Sequence, residues 1–158
     1  MKHLVIGFFL LAACGAGMAD EASDCSAVAG IHRTGVVVRA PVFRHGQFRK
    51  GVELSHTHLS LLADQDGKTY DVAIDNVFAT GYAAHTTAVP VPLNSIRVKD
   101  RLDLCGLLYT KGVGMHWVHT NCGITPSAGK PDGWLKKLAA DGSASQNYEG
   151  NRQYCSRF

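Results

Sequence analysis

The stretch HTHLSLLADQDGKTYDVAIDNVF, from His56 to Phe78, decides the fold class, because its polar and apolar residues alternate on both sides of a short turn. A period of two is the period of a β-strand. The segment DQDGK, Asp64–Lys68, carries the Asp-Gly pair that is typical of a tight hairpin. The stretch therefore predicts two antiparallel strands, His56–Asp64 and Thr69–Phe78.

The same alternation predicts further strands on either side of this hairpin, and capping residues predict one helix. Pro41 indicates a bend or an edge near the end of the first strand. Asp132 is a suitable N-cap and Gly142 a suitable C-cap for the helix. The predicted elements are a first strand at Thr34–Phe43, a loop at His45–Gly51, a fourth strand within Ser95–Thr110 after a turn at Lys99–Asp100, a fifth strand at Met115–Asn121 and a helix at Pro131–Gly142.

This order of elements predicts an all-β domain, a small OB-like barrel of five strands with one short C-terminal helix. A lipocalin-like barrel or a sandwich is the alternative, but eight strands do not fit easily in 158 residues. We expect a linker at 20–32, the barrel at 33–142 and a polar tail at 143–158.

The N-terminus indicates export. One lysine precedes the apolar run Leu4–Ala13, which is too short to span a bilayer but suits a signal peptide. Two processing sites compete. LAAC, ending at Cys14, resembles a lipobox and would make this cysteine the lipidated first residue, whereas GMA at Gly17–Ala19 would release a soluble chain from a signal peptide at 1–19. The chain is then periplasmic or an outer-membrane lipoprotein.

The remaining four cysteines, an even number in an exported chain, predict two disulfides. Three connectivities are open. The turn at Lys111–Gly114 would place Cys105 and Cys122 on adjacent strands, so we expect that pair, which leaves Cys25 to join Cys155 and to hold the tail on the barrel.

Basic residues concentrate in one region although the whole chain has a formal net charge of only +3. Between Cys25 and Val52 there are five lysines and arginines and no acidic residue. A solvated strand edge protected by cations explains this run, and an anionic ligand or surface is the functional alternative. The charge does not indicate nucleic acid as a partner.

Two short motifs resemble a known family. HWVH at His116–His119, followed by DGW at Asp132–Trp134, is similar to the His-Trp-Thr-His and Asp-Gly-Trp pattern of small, exported, uncharacterised bacterial proteins. Val118 replaces the threonine of that pattern, and Thr120 stands where a further histidine is expected. The resemblance implies the fold and the compartment, and it implies no established activity.

The histidines offer a metal site as the alternative function. His56 and His58 share one face of their strand, and a strand-borne His-x-His pair suits zinc or copper. The third ligand would be His119, with His85 and Asp75 as the other candidates. On a regular fifth strand, however, His116 and His119 would point to opposite faces. No catalytic motif stands out, so we expect neither a catalytic residue nor a resident cofactor.

The sequence therefore predicts an exported binding or interaction module. Its ligand is an anionic oligomer or an envelope protein, and the membrane is reached only through the lipid anchor. An OB-like barrel binds across strands two and three and their flanking loops. The expected ligand-binding residues are Arg44, Arg49, Lys50, Tyr70, Trp117 and His119.

Overall fold

The structure is a computed structural model that describes residues 16–157; Cys14 and the apolar run before it lie outside the described residues. One helix precedes six strands. The elements are α1 (Ala16–Ala27), β1 (Ile31–Arg49), β2 (Val52–Ala63), β3 (Thr69–Asp75), β4 (Arg101–Leu108), β5 (Gly114–His116) and β6 (Trp134–Leu138). The all-β prediction is confirmed. No helix within 16–157 is long and apolar enough to cross a membrane.

Five strands close into a ring. β1 pairs with β2, β2 with β3, β3 with β5, β5 with β4, and β4 returns to β1. All these pairings are antiparallel except β3 with β5. β6 pairs with Arg101–Cys105 of β4, on the edge of β4 that faces away from β1.

The central hairpin is confirmed, but β2 begins earlier, at Val52, and β3 ends at Asp75, where a 3-10 helix, Asn76–Phe78, follows. His56 of β2 lies opposite Asp75 of β3, and the pairing continues to Leu62 opposite Thr69. Alternate residues of these strands point into the ring, where they form an apolar core with residues from the other strands. Its fully buried members include Val37, Leu59, Leu61, Val72, Ile74, Leu102, Leu104, Met115 and Leu135. Truncating one such leucine to alanine typically costs about 2–5 kcal/mol.

β1 is longer than predicted, and the predicted loop at His45–Gly51 is wrong. The strand continues to Arg49 because three register shifts let it bend while it stays paired with β2. Its first residues, Ile31–Val36, pair with β4, and Gly35–Arg49 pair with β2. The tip of the β1–β2 hairpin is therefore a short turn at Lys50 and Gly51.

The predicted C-terminal helix is wrong, because Trp134–Leu138 is a strand. Trp134 and Leu138 are four residues apart, a spacing that fits one face of a helix and equally one face of a strand. The structure pairs this segment with β4, with Cys105 opposite Trp134 and Arg101 opposite Leu138. Burial of Trp134, Leu135 and Leu138 against the sheet favours the strand.

The fifth strand is shorter than predicted, since it ends at His116. Trp117 has a φ of 56°, which lies in the left-handed region, and the chain leaves the strand there. Val118 is nevertheless fully buried in the core. The segment from Trp117 to Cys122 is thus an ordered loop.

All four remaining cysteines are paired, as predicted, but the predicted pairing is wrong. The disulfides are Cys25–Cys105, which joins the end of α1 to β4, and Cys122–Cys155, which joins the loop after β5 to the C-terminal segment. Cys122 is not opposite Cys105 because β5 ends before the chain reaches it.

The two flanking segments also have more structure than a linker and a polar tail. The region 20–32 contains most of α1 and the first residues of β1. In the region 143–158, Tyr148 and Tyr154 pack on the core, and Glu149 is fully buried. The C-terminal region is linked to the ring through the Cys122–Cys155 disulfide, and not through Cys25 as expected.

Candidate functional site

The HWVH and DGW segments pack against each other. The Trp117 indole Nε1–H donates to the carbonyl oxygen of Pro131 at 2.8 Å, and the Gly133 amide donates to the His119 carbonyl oxygen at 2.9 Å. Asp132 accepts hydrogen bonds from the Thr120 hydroxyl and the Asn121 amide. The first segment is therefore held in place by the second.

Gly133 is required at this contact. A Cβ at this position would overlap the carbonyl oxygens of Cys105 and Trp117. Only glycine lets the DGW segment pass this close to β4 and to the loop after β5.

The loop after β5 contains two non-glycine residues with left-handed backbone. Trp117 has a φ of 56° and Cys122 a φ of 65°. Such residues cost on the order of 1–3 kcal/mol each, and they cluster at functional sites. Both flank the segment that carries His119.

His119 is held in one orientation between two aromatic rings. Its imidazole lies 3.9 Å from the Phe78 ring centroid at an interplanar angle of 9°, and 5.0 Å from a Trp117 ring centroid at 29°. Its Nδ1 lies 2.7 Å from the Thr120 carbonyl oxygen, to which it donates, and its Nε2 lies 3.2 Å from Asp75 Oδ2. Both ring nitrogens therefore face an oxygen that can accept a hydrogen bond.

Asp75 joins His119 to His56. The His56 Nε2 lies 2.8 Å from the other carboxylate oxygen, Oδ1. Burial opposes ionisation of Asp75, but the two imidazoles outweigh it and hold the pKa of this carboxyl well below its ordinary value. The same carboxylate raises the pKa of His56, against a smaller opposing effect of burial. Asp75 is thus an anion shared by two imidazoles.

A second cluster lies on the same face of the sheet, around Asp71. His58 Nδ1 lies 2.9 Å from Asp71 Oδ2, the Tyr109 hydroxyl donates to that oxygen at 3.0 Å, and Arg39 Nη2 donates to Oδ1 at 3.3 Å. Burial, followed by the Asp71 carboxylate, raises the pKa of Tyr109. Next to it, burial lowers the pKa of His116, whose ring lies 5.7 Å from that of Tyr109.

A cavity of about 400 Å³ opens beside the Asp75 cluster. Trp117 and His119 form part of its wall, and Arg49 and Lys130 add two cationic side chains. The lining is completed by Leu54, Asp75, Val77, Phe78, Thr120, Asn121, Cys122, Ile124 and Cys155. The volume falls in the range of small-molecule sites.

Three of the six expected ligand-binding residues meet at this cavity, namely Arg49, Trp117 and His119. Arg44 lies on β1 opposite His56. Lys50 lies in the β1–β2 turn, where its carbonyl oxygen accepts a hydrogen bond from Arg157.

Tyr70 does not join them. Its ring is buried, and its hydroxyl donates to Asp66 at 2.7 Å. It lies on the inward face of β3, the face opposite to Asp71 and Asp75, as the alternation of that strand requires.

The three histidines of the alternative metal site do not converge. His56 and His119 contact Asp75, whereas His58 contacts Asp71. Within 16–157, no three histidine, cysteine, aspartate or glutamate side chains form a group that could hold a metal ion.

Sequence reasoning missed several residues of the region. Asn121 and Lys130 line the cavity, but the only feature of the sequence that pointed to them is that they lie close to the HWVH and DGW motifs. Glu149 is fully buried, and neither carboxyl oxygen has a hydrogen-bond partner in the described part of the chain. Burial, with the nearby Asp75 charge, raises its pKa well above the ordinary value.

Comparison with known proteins found no matching family model, no matching curated protein and no matching solved structure.

Proposed function

We propose that this protein is an exported binding module of the cell envelope that takes an anionic ligand in the cavity beside His119. The observation that carries the proposal is the cavity wall, where an imidazole is fixed between Phe78 and Trp117 and where Arg49 and Lys130 supply positive charge. Two arginine or lysine side chains, a part-exposed indole and a fixed imidazole together suit a ring-shaped molecule with a carboxylate or a similar anionic group.

An OB-like barrel is the architecture that we infer for the ring. Its support is the strand order β1-β2-β3-β5-β4 with closure back to β1, and the strongly bent β1 that pairs with two neighbours. OB-folds bind ligands on strands two and three and on adjoining loops. The cavity and both aspartate clusters lie on this face.

Export to the periplasm, or attachment to the outer membrane through Cys14, completes the proposal. Its support is the pair of disulfides, which are typical of oxidising compartments outside the cytoplasm. We also propose kinship with the small exported proteins that share the HWVH and DGW pattern. The direct packing of these two segments gives a physical reason for them to occur together.

Tryptophan fluorescence tests the function. Trp117 lines the cavity, whereas Trp134 is buried with its indole donating to Asp103. Titration with galacturonate should change the Trp117 emission, and galactose, the neutral sugar of the same shape, should have a much smaller effect. Trp117→Phe should remove the response.

Two results would contradict the proposal. Equal responses to galacturonate and galactose would exclude anion recognition, and a response that persists in Trp117→Phe would place binding elsewhere. Purification of the untagged protein with stoichiometric zinc or copper would favour the metal alternative, and capture of a stable envelope protein partner would favour an interaction module.

A further inference from the structure

Three arginines of β1 lie on one face although they are five residues apart. In a regular strand, residues separated by an odd number point to opposite sides. The register shifts of β1 change this, because Arg39 lies opposite Ser60, Arg44 opposite His56 and Arg49 opposite Val52. These partners on β2 are each four residues apart and share one face. The cross-strand partners therefore place the three arginines in a row on one side of the β1–β2 pair.

Side-chain contacts agree with this assignment at both ends of the row. Arg39 reaches Asp71 on β3 at 3.3 Å, on the face that carries His58. Arg49 lines the cavity together with Asp75 and His119. All three arginines are exposed. From Ser60 to Val52, at about 3.3 Å per residue, the row is about 26 Å long.

We propose that this arginine row extends the cavity into a binding face for an acidic polysaccharide, an inference that rests on the proposed function and names its ligand class. One anionic sugar unit occupies the cavity beside Trp117, and the chain continues past Arg44 to Arg39. A single sugar cannot reach both ends, so the row predicts a polymer rather than a monomer.

The side chains between the arginines favour a glycan over a nucleic acid. On this face of β1 they are Val42, opposite His58, and Gln47, opposite Leu54. Single-stranded nucleic acids are bound largely by stacking bases on aromatic rings, and neither residue offers one. A sugar acid needs cations and hydrogen-bond donors, which the arginines, Gln47 and the neighbouring histidines supply.

The carboxylates of the face do not cancel its positive charge. Asp75 lies between His56 and His119, and Asp71 contacts His58 and Arg39. Glu53, the acidic residue of the paired β1–β2 segment, accepts hydrogen bonds from His45 and the Gly46 amide instead. A ligand would share Arg39 with the Asp71 carboxylate.

The test measures how affinity depends on ligand length. Galacturonate dimer, hexamer and dodecamer should bind with increasing affinity, and their methyl-esterified, uncharged counterparts should not. Arg39→Gln and Arg44→Gln should each weaken binding of the dodecamer about fivefold at low salt and leave the dimer unaffected. Arg33→Gln is the matched control, because Arg33 lies on the same strand but over the Tyr70 ring, at 5.5 Å.

The outcomes separate this inference from the proposed function. If dimer and dodecamer bind equally and Arg39→Gln has no effect, the row is not part of the site, while a Trp117 response to galacturonate leaves the cavity proposal standing. Tighter binding of single-stranded oligo-dT than of the dodecamer would overturn the assignment to a polysaccharide. If no acid of any length changes the Trp117 emission or binds, both proposals fail.

Discussion

Glu149→Gln should change the pH dependence of stability, because Glu149 is fully buried and has no hydrogen-bond partner for either carboxyl oxygen among the described residues. Burial raises the pKa of Glu149 well above the ordinary value of a glutamate. The folded protein thus holds a proton that the unfolded chain releases. The stability that this bound proton contributes is complete below the pKa of Glu149 in the unfolded chain. It is lost as pH rises towards the pKa of Glu149 in the folded protein.

The magnitude follows from linkage. One proton held only by the folded state lowers the free energy of unfolding by up to about 1.4 kcal/mol for each pH unit. Between pH 5 and pH 7 the wild type should therefore lose up to about 2.7 kcal/mol through this group alone. Glutamine has nearly the same shape and does not titrate. It carries a pH-independent penalty of about 1–3 kcal/mol for its own unpaired groups, so the informative quantity is how the difference between variant and wild type changes with pH.

The assay is urea unfolding of the disulfide-intact protein at pH 5, 6, 7 and 8. The free energy of unfolding of Glu149→Gln minus that of the wild type should increase from pH 5 to pH 8. Asp141→Asn is the control, since hydrogen bonds from the Ser143 hydroxyl and amide lower the pKa of Asp141, so its difference in the free energy of unfolding should be constant over the same range. A constant difference for Glu149→Gln would refute the conclusion that this carboxyl is protonated in the folded protein.

Three further predictions concern other parts of the fold. Gly133→Ala should destabilise the protein by about 3 kcal/mol or more because its Cβ meets two carbonyl oxygens, whereas Gly129→Ala, which meets nothing within 4 Å, should be close to neutral in chemical denaturation. His56→Gln should remove stability that the wild type has below pH 6.5 and loses as pH rises through the raised pKa of folded His56. The melting temperatures of the two proteins should therefore converge towards alkaline pH. Parallel curves of melting temperature against pH would contradict the ion pair between His56 and Asp75. Peptide mapping of the unreduced protein should find Cys25 linked to Cys105, and a link from Cys25 to Cys155 would contradict the described topology.

The central hairpin was predictable because its information is local. The Asp-Gly turn and the alternation on both sides specify the register between neighbours, and they place His56, His58, Asp71 and Asp75 on one outer face. The two aspartates follow the same pattern, since they alternate with Val72 and Ile74, which are buried.

The length of β1 could not be read in this way. Each register shift moves the alternation by one residue. In a regular strand Arg39, Arg44 and Arg49 would alternate between the two faces, whereas the structure places them on one face. A bulge leaves no compositional mark that distinguishes it from a loop. For β6, the spacing of Trp134 and Leu138 satisfies both helix and strand, and only the free edge of β4 decides between them.

The cysteine pairing depended on one backbone angle. The expected Cys105–Cys122 pair assumed that β5 continues past His116, whereas the left-handed conformation of Trp117 ends it. The same turn brings His119 to Asp75, which a regular strand would not do. The backbone conformation of one residue therefore decides both the cysteine pairing and the position of His119.

Several unfavourable terms of this fold lie near Asp75. Trp117 and Cys122, two of the non-glycine residues with left-handed backbone, flank His119. The Glu149 carboxyl has no hydrogen-bond partner among the described residues, and it is near enough for the Asp75 charge to affect its pKa. Stability alone would not select this combination, because apolar packing of the same loop would avoid both the strain and the desolvated charges. A sequence that otherwise agrees with its fold departs from it where function requires. Trp117 and Cys122 lie on the wall of the cavity, which is the physical reason to look for the ligand there.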